Sequence, residues 1–62
     1  NMVVWRATAM EGQDGEMFFP TKNEAVSYVR ENGVLEDAMY IKIVVNNRQD
    51  LADQLNLAMG FG

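Results

Sequence analysis

The stretch EGQDGE places Glu11, Asp14 and Glu16 within six residues, and clustered carboxylates are the most reactive arrangement this chain offers. A pair of them could share acid–base work, and three could begin a calcium shell. Calcium takes about 6–8 oxygen ligands, and the spacing does not follow the acidic i, i+2, i+4 pattern of an EF-hand loop. Acid–base use needs burial, which a glycine-flanked surface turn does not supply. A solvated loop is therefore expected, with no metal site.

Other chemistries are limited by what the sequence lacks. It contains no cysteine and no histidine, and Ser27 is its single serine. Nucleophilic catalysis needs a base beside the nucleophile, so hydrolytic triads have no members here. Gly12 and Gly15 do not form a dinucleotide fingerprint, and they precede a strand rather than a helix. No catalytic residue and no cofactor is expected, and the chain reads as a non-enzyme.

The elements around the acidic turn are legible from pattern. Residues 2–11, MVVWRATAME, alternate between Val3, Trp5, Ala7, Ala9 and Val4, Arg6, Thr8, Met10, which predicts a strand. Gly12 to Gly15 then predict a reversal, and EMFFP a second strand ended by Pro20. A loop over residues 12–15 would set Glu11 against Glu16, Met10 against Met17, Ala9 against Phe18 and Thr8 against Phe19.

Thr21 with Glu24 forms a T-x-x-E capping box that starts a helix. Ala25, Val26, Tyr28 and Val29 make its apolar stripe, and Gly33 is expected to stop it in a left-handed conformation. YIKIVVN predicts a third strand, with Ile41, Ile43 and Val45 on one face and Tyr40, Lys42, Val44 and Asn46 on the other. Asn47 caps a second helix, with Asp50 in its first turn and Leu51, Leu55, Ala58 and Met59 as its stripe. Leu57 and Phe61 lie off that stripe.

The order ββαβα makes residues 1–62 one small α+β domain. A right-handed crossover places the third strand beside the first, giving a three-stranded antiparallel sheet of order 2-1-3 packed with two helices. Trp5, Ala7, Ala9, Phe18, Ile41, Ile43 and Val45 are expected on the core face under the first helix. Whether the second helix covers the same face, the opposite face or a partner subunit stays open.

Charge narrows the choice of partner. Nine acidic residues against five basic ones leave a net charge of −4, and there is no basic run, which disfavours phosphate backbones and hence nucleic acid. The longest apolar run is Ile43, Val44, Val45, far short of the ~20 residues of a membrane helix. No signal-peptide pattern is present, so a cytoplasmic location and no membrane contact are expected. Asn1 ahead of Met2 reads as a cloning remnant.

The outer sheet face, Val4, Arg6, Thr8, Met10, Met17, Phe19, Tyr40, Lys42 and Val44, is more apolar than a solvated face usually is. The expected function is therefore a non-enzymatic protein–protein interaction module acting through that face and an acidic surface, on another protein or on itself as a homodimer. Val4, Arg6, Met10, Met17, Phe19, Tyr40, Lys42 and Val44 are its candidate interface, with Leu57 and Phe61 as a second docking point. The alternative is a single-stranded nucleic-acid binder using Arg6, Tyr40 and Lys42 on the open sheet face.

Overall fold

The threonine cap that opens the first helix is built as its sequence requires. In the computed structural model, which describes residues 1–12 and 15–60, the Glu24 N–H donates to Thr21 Oγ1 at 3.3 Å, and the Thr21 hydroxyl donates to Glu24 Oε2 at 2.9 Å. Helix α1, Lys22–Asn32, follows strands β1, Met2–Thr8, and β2, Glu16–Phe19. Strand β3, Met39–Val45, and helix α2, Arg48–Ala58, complete the chain. The sheet is antiparallel with order β2-β1-β3, so the fold is α+β with the long first strand in the middle. Thr21→Ala removes one satisfied N–H and one charge-assisted bond. It is expected to lower stability by about 1 kcal/mol, measured by urea denaturation.

The second helix is capped by the same logic. The Asp50 N–H donates to Asn47 Oδ1 at 2.9 Å, and Asp50 Oδ2 accepts from the Asn46 N–H at 3.0 Å. The end of α1 differs from expectation. Gly33 donates its N–H to the Val29 carbonyl but has φ −70° and ψ 92°, which is extended rather than left-handed. Its glycine is required by proximity, because a Cβ there would lie 2.5 Å from the Val29 oxygen.

The hairpin register also differs. Trp5 pairs with Phe19, Arg6 with Phe18, Ala7 with Met17 and Thr8 with Glu16, a slip of three residues from the expected pairing. The loop is longer than residues 12–15. Ala9 N–H donates to the Gly15 carbonyl at 3.0 Å, so the reversal begins at Met10 and Gly15 already belongs to the returning chain. Gly12 lies within that loop with φ 91°, in the left-handed region. An odd slip turns every β2 side chain to the other face. Phe19, not Phe18, therefore shares a face with Trp5 and Ala7, and it meets Tyr28 of α1 at a ring-centroid distance of 5.4 Å.

Strand β3 is likewise out of phase with the expected core. Its partners are Trp5 with Lys42, Ala7 with Tyr40 and Val3 with Val44 on the α1 side. Val4 with Ile43, Arg6 with Ile41 and Met2 with Val45 lie on the opposite side. Nothing local to β3 sets this phase. The connector after α1 docks on the end of β1, where the Ala9 carbonyl accepts from both Val34 and Leu35 N–H groups, at 2.8 and 3.0 Å.

Two thin cores result, one on each face. Ala7, Ala9 and Ala25 are fully buried on the α1 side, where the absence of bulk lets the helix lie close to β1. Ile43 and Val45 are buried on the other side, where Met2 and Val45 share a shallow groove with Leu51 of α2. Helix α2 thus lies toward the face opposite α1. It touches the sheet mainly through β3 and buries none of its own residues. No helix is long and apolar enough to cross a membrane, among the described residues.

Candidate functional site

The ten candidate interface residues do not form one surface. Met17, Phe19, Tyr40, Lys42 and Val44 share the α1 face, whereas Val4 and Arg6 lie on the other. Phe19 is half-covered and packs on Tyr28, so it belongs to the junction of β2 with α1. Met10 is half-buried in the hairpin loop. Leu57 is exposed near the end of α2, and Phe61 lies outside the described residues.

The trio Arg6, Tyr40 and Lys42 is also divided. Arg6 sits between Phe18 and Ile41 across the strands and on the face away from α1. Its Nε lies 3.5 Å from Glu16 Oε1, with the two side chains 21% and 26% exposed. Arg6 Nε has no hydrogen bond despite its burial, so this contact is an ion pair of poor geometry. Such a pair adds little, because desolvation offsets most of the attraction. The aliphatic stem of Arg6 does the packing. Arg6→Met is therefore expected to change stability by less than about 1 kcal/mol, read by urea denaturation at low and high salt.

Tyr40 and Lys42 sit instead beside the single tryptophan. The Trp5 and Tyr40 rings are 6.2 Å apart at an interplanar angle of 53°, and Lys42 is the cross-strand partner of Trp5. Lys22 of α1 approaches from the other side, its Nζ 5.9 Å from the Trp5 ring centroid. Its alternation with Ala7 and Ala9 predicts a core position for Trp5. In the fold it is only half-buried.

Exposed apolar side chains also line α2, away from the expected face. Leu51, Leu55 and Met59, the α2 stripe, are 42%, 50% and 67% exposed. The stripe itself is legible from its i, i+4 spacing. Its lack of a covering partner is not, because periodicity marks which side is apolar and says nothing of what meets it.

Glu16 pairs with Arg6, Glu11 is exposed, and Asp14 lies outside the described residues. Among the described residues no group of three acidic side chains gathers as a metal shell would. Ser27 is exposed on α1. A second shallow groove, between β2 and α1, is lined by Phe19, Asn23, Glu24, Tyr28 and Glu31, with Glu24 engaged in the Thr21 cap.

Comparison with protein-family models, with curated proteins and with solved structures returns no match.

Proposed function

We propose that this chain is a non-enzymatic protein-binding module that works by contact, presenting the α2 stripe and the open flank of β3 to another polypeptide, a second copy included. One observation carries it: α2 is an 11-residue amphipathic helix with no buried residue. Isolated helices shorter than about 12–15 residues are marginal in water and depend on packing of their apolar face. Uncovered apolar surface of this kind marks an interface. The net charge of −4 favours a partner that is neutral or basic at its rim.

The double substitution Leu51→Glu, Leu55→Glu tests this. The expected result is a chain that keeps its Trp5 emission and a cooperative urea transition but no longer associates. If the two residues are ordinary core, the transition is instead lost or falls by about 2–5 kcal/mol, as for buried leucines, and the proposal fails.

A second function, single-stranded nucleic-acid binding, draws on the Trp5 and Tyr40 rings flanked by Lys22 and Lys42. Stacking platforms bordered by cations are how such proteins hold bases. The net negative charge weighs against it. Titration with a single-stranded oligonucleotide at low salt should then quench Trp5, and Lys22→Ala, Lys42→Ala should abolish the quench. An unchanged Trp5 emission at low salt rules this function out.

A further inference from the structure

We infer that the occupant of the open surface is a second copy of this chain, joined by antiparallel pairing of β3 with the partner's β3, so that two three-stranded sheets merge across a two-fold axis. The inference rests on the protein-binding proposal above and names its partner.

The edges of the sheet are unlike each other. Strand β2 spans Glu16–Phe19, is followed by Pro20, and offers little for another chain to pair with. Strand β3 spans Met39–Val45 and pairs with β1 in one unbroken register, without a bulge. Among the described residues, its outer edge carries no strand. Proteins blunt such edges with charge, proline or bulges, and β3 has Lys42 alone. Helix α2 leaves from the end of β3, so the uncovered edge and the uncovered stripe adjoin.

The area uncovered fits a contact of this size. A monomer of 7.0 kDa is expected to expose about 4,000 Å². This chain exposes 4602 Å². The surplus of about 600 Å² is near the lower end of what each partner gives to a specific interface, about 600–1,000 Å². A chain without cysteine has no disulfide to compensate for a small core, and oligomerisation is one of the other means. A second copy is always present with the first. An edge strand is also complementary to itself under a two-fold axis, because the same row of donors and acceptors meets its own reverse.

Side chains choose the register. A two-fold axis normal to the sheet keeps each face on its own side, so it must pass beside a residue and pair positions of the same face. An axis at Lys42 would oppose two lysines, which is unfavourable. An axis at Ile43 sets Lys42 against the partner's Val44. An axis at Ile41 sets Lys42 against the partner's Tyr40, and Tyr40 against the partner's Lys42, joining cation to ring twice. The Ile41 axis is the one assigned.

The cysteine-free chain makes the test direct. Light scattering of the natural sequence across a dilution series should show twice the monomer mass, falling toward 7.0 kDa on dilution. Single cysteines at Ile41, Lys42, Ile43 and, as the control on the other edge, Met17 are then oxidised. Ile41→Cys should form a disulfide-linked dimer at least about tenfold faster than Met17→Cys, since pairing holds the thiols at high effective concentration. Should Ile41→Cys not fold, an equimolar mixture of Tyr40→Cys and Lys42→Cys chains, both at exposed positions, must cross-link as the heterodimer. A strict monomer at every concentration overturns the inference. The binding proposal still stands in that case if Leu51→Glu, Leu55→Glu keeps the fold. A dimer that cross-links through Met17→Cys and not through β3 also overturns it.

Discussion

Gly15→Ala is expected to leave the chain largely unfolded. An ideal Cβ at Gly15 would lie 1.6 Å from the Met10 carbonyl oxygen and 2.5 Å from its carbon. Both are backbone atoms, so no side chain can swing away, and the returning strand would have to move off the first. That movement would break the bond from the Ala9 N–H to the Gly15 carbonyl, which sets the register of the whole hairpin. A loss on the order of 4 kcal/mol is expected, the size associated with strong steric conflict. A domain of 62 residues has a total stability of only about 3–9 kcal/mol. Gly12→Ala is the control. Its φ of 91° disfavours a side chain, but nothing lies within 4 Å of the added carbon, and about 1–2 kcal/mol is expected. Urea denaturation followed by Trp5 emission separates the two. If Gly15→Ala costs less than Gly12→Ala, the hairpin closes in another register and the face assignment changes with it.

Ala25→Leu is expected to weaken the domain by about 1–3 kcal/mol through overpacking. Ala25 is at 0% exposure, as are Ala7 on β1, the strand that α1 contacts most, and Ala9 just beyond that strand. Three alanines define a close helix-to-sheet approach, and added methylene groups can fit only if α1 lifts. Lifting α1 would also separate Tyr28 from Phe19 and Lys22 from Trp5. A shift in Trp5 emission should therefore accompany the lower melting point. Ser27→Leu on the exposed side of the same helix should change stability by less than about 0.5 kcal/mol. Equal effects at the two positions would mean that the alanine layer is not tightly packed.

The first prediction concerns the hairpin that joins β1 to β2 and the second the layer beneath α1, and the proposed binding surface includes neither. The contacts proposed for a partner are those of β3 and α2. That division is why substitutions in the stripe of α2 should affect association with the α1 layer left intact.

Local signals in the sequence specified local structure reliably. The capping residues Thr21 and Asn47, the reversal around Gly12 and Gly15, and the alternation of the strands each act within a few residues, so they located all five elements. The handedness of the crossover then set the strand order. The candidate surface was less legible. β1 is apolar on both sides, with Val3, Trp5 and Ala7 on one and Met2 and Val4 on the other, so its pattern could not say which set belonged with Ile41 and Ile43. Arg6 looked like an open-face cation because its ion pair with Glu16 depends on a register that slipped by three.

What the sequence by itself determined was the α+β class, the order of elements, the helix caps and the absence of cysteine and histidine, because each follows from residue type and short-range spacing. Only the tertiary structure decided which side chains share a face and that the stripe of α2 stands uncovered. The hairpin closes through the Ala9 N–H on the Gly15 carbonyl, a pairing that no periodicity encodes. Burial depends on what stands across from a side chain, and the identity of that neighbour is set by the fold of the whole chain.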